Sequence, residues 1–154
     1  MSSESLEKYL RKMSVDAKFL RFTDHTMTVE AAVNLLGISK EKIVKSILFI
    51  DDSGRPVFAM VTGDKRVGEK KLAAVCGAKK VRKANSIEVK ELTGYKVGAV
   101  PPVGHRMTIT TFIDRKVVRF DRVVGGGGDI NTLLEISPTA IRKLTGGKIT
   151  NISE

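Results

Sequence analysis

"KIVKSILFI", Lys42 to Ile50, is the stretch on which the fold turns. A nearly continuous run of β-branched, aliphatic and aromatic residues at this length reads as a strand covered on both faces. Lys45 interrupts it. Strand alternation puts Lys45 on one face with Ile43, Ile47 and Phe49, and Val44, Leu48 and Ile50 on the other. Either face reads as buried, where an unpaired ammonium costs several kcal/mol, so an anionic group is expected to meet it. Three roles stay open for this lysine: a cleft cation for a ligand, a structural lysine that snorkels to water or pairs with an acid, or an amine nucleophile.

Outward from this run, "DDSGR" turns the chain into a second strand, "PVFAMVT", as a hairpin. Upstream, Ser3 caps a first helix carrying Leu6, Leu10 and Met13 on one stripe, "AKFLRF" reads as a strand, and Thr28 caps a helix that Gly37 stops. Downstream the pattern gives a helix over about 65–75 closed by Gly77, and a short strand at Val81. Asn85 with Glu88 forms a capping box for a helix ending near Gly94. "MTITTFID", "KVVRF", "INTLLEI" and "KITNI" read as strands, with a helix from Ser137–Pro138 to Gly146 before the last. The expectation is an α+β or mixed α/β chain, one compact domain over residues 1–154, with six or seven strands.

The bulk numbers narrow the function. The chain has 154 residues, 42% hydrophobic and 29% charged, as in a globular protein. No apolar run reaches the roughly 18 residues of a membrane span, and the amphipathic N-terminus is not a secretory leader. One cysteine, Cys76, rules out an internal disulfide and fits a reducing cytoplasm. That cysteine and two distant histidines make a structural zinc site improbable, so no metal is expected. The net charge is +10, and nine Lys/Arg face three acids between Asp64 and Lys90. Lys65, Arg66, Lys70, Lys71, Lys79, Lys80, Arg82 and Lys83 thus form a candidate surface for a polyanion, with a plain solvated basic face as the alternative. Six Phe, two Tyr and no Trp give no aromatic ladder for stacking bases.

Two glycine-rich loops stand out. "GYKVGAVPPVGH" (94–105) holds two of the four prolines and one of the two histidines, and "VVGGGGD" (123–129) holds four consecutive glycines. In the first, Gly98 to Pro102 has the form G-x-x-x-P: Pro101 and Pro102 stiffen the chain and Gly98 lets it bend against a ligand. The second lets backbone N–H groups approach a developing negative charge. It is neither a P-loop nor a dinucleotide fingerprint. A buried crossover and a mobile hairpin tip are the plainer readings. His105, beside Arg106, is a base or a structural histidine, and His25 stands in the same position. No Ser-His-Asp order, carboxylate pair or Cys-His pair is visible.

Taken in order, "TMTVEAAVNLLGISKEKIVKSILFI", "GYKVGAVPPVGH" and "VVGGGGDINTLLEISPTAI" resemble the YbaK-like aminoacyl-tRNA editing domains, relatives of the insertion domain of bacterial prolyl-tRNA synthetase. The likeness runs over about residues 26–152. It implies a mixed, barrel-like sheet flanked by helices, and metal- and cofactor-free hydrolysis of the ester on a mischarged tRNA such as Ala- or Cys-tRNA(Pro). The family's catalytic positions fall on Lys45, Gly98, Pro102, Gly126 and Gly127. Ala99, Val100, Pro101, Gly125, Gly128, Asp129 and His105 are the expected substrate contacts. The acylated tRNA 3′ end is the implied partner, with prolyl-tRNA synthetase a further one. The bacterial cysteine-specific members differ in both loops: they resemble G-G-C-S/T where this chain has "GAVPP". They also carry Lys/Arg in the second loop and an Asp ahead of the position of Leu134–Glu135, which Asp129 or Thr132 would have to replace. The alternative is a binding module of the same fold without catalysis.

Overall fold

The computed structural model describes residues 1–154. Five helices and eight strands alternate. The helices are α1 (Ser3–Lys12), α2 (Val29–Leu36), α3 (Glu69–Cys76), α4 (Ser86–Thr93) and α5 (Pro138–Thr145). The strands are β1 (Lys18–Arg21), β2 (Val44–Asp51), β3 (Pro56–Thr62), β4 (Val81–Lys83), β5 (Thr110–Asp114), β6 (Val123–Gly126), β7 (Thr132–Ile136) and β8 (Lys148–Thr150). They form a five-stranded mixed sheet, β4-β2-β3-β5-β8, and a three-stranded antiparallel sheet, β1-β7-β6. A parallel bridge between Ile43 and Val124 joins the two, so the expected mixed sheet is present as two sheets that meet at one seam and do not close a barrel.

The β2–β3 hairpin anchors the larger sheet in the register Val44–Thr62 to Ile50–Pro56. Both strands are paired along both edges and packed on both faces, and the double packing is why their sequences are apolar throughout. One face packs Phe49, Val57, Ala59 and Val61 against Leu72 and Ala73 of α3. The other packs Val44 and Met60 with Leu6 and Leu10 of α1, Leu134, Ile136 and Ile141. Fully burying each of the Val, Leu, Ile, Met and Phe side chains among them stabilises the fold by roughly 1.5–3 kcal/mol.

The caps fall where the sequence put them for α2, α4 and α5: Thr28, Asn85 with Glu88, and Ser137 each accept the expected N–H. Three local expectations are corrected. Ser2, not Ser3, caps α1, which frees the buried Ser3 for another contact. Helix α3 begins at Glu69, because residues 63–68 are held as a loop by the chain's last residues: Gly68 N–H donates to Ile152 O (2.7 Å), and Arg66 and Glu154 exchange two bonds. "KVVRF" is a 3-10 turn over Val117–Arg119. Asp114 ends β5 there: its Oδ2 accepts from Lys116 N–H (3.1 Å), and its Oδ1 accepts from Ile152 and Ser153 N–H.

Candidate functional site

Lys45 lies half-buried on β2, beside Val61 of β3. Its ammonium donates to the backbone carbonyl oxygen of Lys65, so a main-chain acceptor stands where the sequence suggested an anionic partner. Burial holds its pKa below the ordinary lysine range, Lys83 and Arg66 push the same way, and Asp64 and Glu30 oppose them. The next residue points to the other face: Ser46 has a buried hydroxyl with no partner in the chain. An isolated hydroxyl in an apolar run is the sequence signal that marks it.

The 94–105 segment is packed, not floppy. Ala99, Pro101, Pro102 and Val103 are buried, and Gly98 has φ +87°, a left-handed conformation that favours glycine. Ala99 N–H donates to Lys96 O (3.0 Å), and Arg106 N–H to Thr93 O (2.9 Å). Between them, Val100, Val103, Gly104 and His105 donate no backbone hydrogen bond to the chain, and neither does Gly98 just before. His105 turns back onto its own loop, with Nε2 2.6 Å from Pro101 O and its ring stacked on Phe58. Burial depresses its pKa to about 4, against the opposing bond to Pro101.

The second glycine segment is half strand. Gly125 and Gly126 belong to β6 and pair with Leu134 and Leu133, where the sequence suggested a loop. The two segments touch directly. A Cβ on Gly126 would fall on the Val100 carbonyl oxygen, and one on Gly125 would lie 3.0 Å from Val44 and 3.2 Å from Pro102. Gly127 and Gly128 lie past the strand, and their N–H groups are used internally, on Thr132 O and Ala99 O (3.0 Å each). Asp129 does not face the cavity. Its Oδ2 accepts from the N–H (3.1 Å) and hydroxyl (2.5 Å) of Ser3, fastening α1 to this segment.

One open cavity of about 440 Å³ joins these parts. Its wall includes Lys45, Gly98, Val100, Gly125 and Gly126 from the expected set, together with Ser46, Met27 and the apolar Leu48, Phe58 and Val89. Ala99, Pro101, Pro102, Gly127, Gly128, Asp129 and His105 stand behind this wall. Those seven do not line the cavity, and the polar groups of Gly127, Gly128, Asp129 and His105 are engaged inside the fold. No carboxylate lines the cavity, and no three His, Cys, Asp or Glu side chains come together as a metal site anywhere in the chain.

Of the basic residues, Lys83 lines the cavity, and Arg66, Lys70, Lys79 and Lys80 are exposed. Lys65 is half-buried and lends its carbonyl to Lys45. Two are already engaged: Lys71 donates to Ser153 O, and Arg82 forms a two-pronged pair with Glu88, whose carboxyl is lowered to about 2 chiefly by that pair.

A mixed α/β domain with a donor-rich, acid-free cavity between two glycine segments is built to bind an electron-rich group. Residues 23–144 match the aminoacyl-tRNA editing domain family, and the chain belongs to it. Among curated relatives, the "Putative Cys-tRNA(Pro)/Cys-tRNA(Cys) deacylase EbsC" of Enterococcus faecalis is 28% identical over 84% of this chain and 79% of its own. Proline--tRNA ligase of Lactobacillus helveticus is 35% identical over 70% of this chain but only 19% of the ligase. A solved "putative trans-editing enzyme for prolyl tRNA synthetase" superposes with TM-score 0.90 at 27% identity, covering 99% of this chain and 96% of that one. A crystal structure of a hypothetical protein reaches TM-score 0.90 at 36% identity, with coverage of 97% and 99%. The family is one of aminoacyl-tRNA editing, and the named relatives are described as a deacylase and a trans-editing enzyme. No helix is long and apolar enough to cross a membrane.

Proposed function

We propose that the protein is a trans-acting deacylase that hydrolyses the ester of a mischarged tRNA, with alanine or cysteine on proline tRNA as the leading substrates. The observation that carries this reading is the single cavity that joins Lys45 to both glycine segments. The whole chain acts as one editing domain, since α1 supplies Leu6 and Leu10 to the main core.

In this reading the terminal adenosine and its phosphate approach Lys45 and Lys83 at the cavity wall, and the amino-acid side chain enters toward Leu48, Phe58 and Val89. A water attacks the ester carbonyl, the C–O bond to the ribose breaks, and the released ribose hydroxyl takes up a proton. The products are a free amino acid and an uncharged tRNA. Gly98 and Val100 keep unshared N–H groups for the oxyanion, whereas those of Gly127 and Gly128 are spent inside the fold. One such donor contributes on the order of 10²–10³ in rate. The tRNA's neighbouring ribose hydroxyl orients the water, since no carboxylate or imidazole lines the cavity and an activated ester needs only positioning. Size selection by an apolar chamber suits small side chains, which a synthetase separates poorly.

A panel of mischarged tRNAs tests the reading. Wild type is expected to release amino acid from one or a few of them, and Lys45→Ala to lose on the order of 10²-fold in single-turnover rate. No release from any member of the panel, with tRNA binding retained, would leave only a non-catalytic module.

A further inference from the structure

We infer that His105 is the positioning residue of the Gly98–Pro102 wall, holding it through a neutral imidazole whose Nε2–H is donated to the Pro101 carbonyl oxygen. Its activity readout rests on the deacylase reading; its structural readout does not.

A carbonyl oxygen only accepts, so the 2.6 Å contact requires the proton on Nε2, and in the ring kept neutral by burial Nδ1 is then bare. The ring also stacks on Phe58, with centroids 4.3 Å apart and planes 26° apart. Phe58 is fully buried on β3 and lines the cavity. One edge of the imidazole therefore grips the loop while its face rests on the sheet, and the loop's height above the cavity floor follows from the ring.

The loop needs such a tie. Pro101 and Pro102 have no N–H, and no backbone N–H from Val100 to His105 finds an acceptor in the chain. Polar attachment is left to three carbonyls: Ala99 O accepts from Gly128 N–H, Pro101 O from His105, and Gly104 O from the Tyr95 hydroxyl at 3.4 Å. Only the middle one lies in the double-proline turn beside Val100, whose N–H faces no internal acceptor. Burial keeps the ring uncharged at neutral pH, as a donor with no competing charge. An unshifted, solvated histidine at this position would swap partners and let the wall drift. A misplacement near 1 Å costs on the order of 10²-fold in rate.

Two substitutions separate the ring's duties: His105→Phe keeps the stack and removes the donor, and His105→Gln restores a donor without the ring. For wild type, ¹⁵N NMR of the imidazole is expected to show the Nε2–H tautomer with a slowly exchanging proton at neutral pH. His105→Phe is expected to stay folded and lose on the order of tenfold or more in kcat with KM nearly unchanged, and His105→Gln to recover to within a few-fold of wild type. An Nδ1–H tautomer, a fast-exchanging ring proton, or a His105→Phe variant with wild-type kcat overturns the inference. If His105→Phe does not fold, the wild-type tautomer and exchange measurement decides it alone. If wild type deacylates nothing, the deacylase reading fails while the NMR still tests the position of the ring.

Discussion

Gly126 and Gly128 are two residues apart and serve opposite sides of the same backbone. At Gly126 the missing side chain lets β6 close onto the Val100 carbonyl, where the cavity wall is made. At Gly128 the missing side chain makes room for the start of α1: a Cβ there would stand 2.9 Å from Ser3 N and 3.0 Å from the Ser2 carbonyl carbon. The same split runs through the first segment. Gly98 faces Met27 at the cavity, while Gly94 meets Met1 and Gly104 meets Leu6 and Tyr9. In these segments each of the five glycines reports a close neighbour, and for three of them it lies in Met1–Tyr9, outside the family-matched residues 23–144. The two sides should therefore fail differently when filled.

Gly126→Ala is the most damaging way to probe the cavity side. Its Cβ has only backbone to displace, so the two segments must part, and single-turnover deacylation should fall on the order of 10²-fold with the circular dichroism spectrum unchanged. Retained activity would break the comparison.

Acid probes the tie behind that wall. His105 has an ordinary pKa of 6.5 and a folded value of about 4, so the unfolded chain binds the proton more readily between the two. The stability it contributes is fully present above pH 6.5 and is lost as pH falls toward 4, up to about 3 kcal/mol. Urea unfolding at pH 7 and pH 4.5 should show this decline in wild type and a smaller one in His105→Phe.

On the helix side, Gly128→Ala adds a side chain at φ +97° against α1. It should lower stability by about 2 kcal/mol, or roughly 4–8 °C in Tm, with a smaller loss of kcat at 25 °C than Gly126→Ala shows. A large activity loss without a Tm change would merge the two sides into one.

The smallest effect sharpens the comparison at the rim. Lys83→Ala should reduce the salt slope of tRNA binding by about 1, and Arg82→Ala should change it little, because that guanidinium is held by Glu88. Filter binding across a salt series measures both.

Much of the fold was legible because its signals are local. Thr28, Asn85 with Glu88, and Ser137 with Pro138 cap where their chemistry says, and the hairpin follows from two apolar runs around Asp51–Arg55. What escaped was set by distant parts of the chain. Gly125 and Gly126 become strand by pairing with Leu134 and Leu133, close against Pro102 and Val100, which no propensity contains. Lys116–Phe120 looked like a strand, but the turn is dictated by Asp114, whose carboxylate is simultaneously bound to residues 152 and 153. At the site, alternation put Lys45 beside a cavity and composition drew attention to both glycine segments. Alternation could not say that Lys45 meets a carbonyl, that Asp129 belongs to α1, or that His105 looks inward, since each depends on a partner between 4 and 126 positions away.

The final three residues bear on anyone who handles this protein. Ile152, Ser153 and Glu154 are stitched to Asp114 and to the 66–68 backbone, next to the carbonyl that tethers Lys45. Losing the Asp114 carboxylate, or displacing residues 152–154 by any other means, would loosen that seam and be felt at the amine. A kinetic change in a variant near residues 152–154 is therefore to be read first as a shift of the Lys65 carbonyl that tethers Lys45.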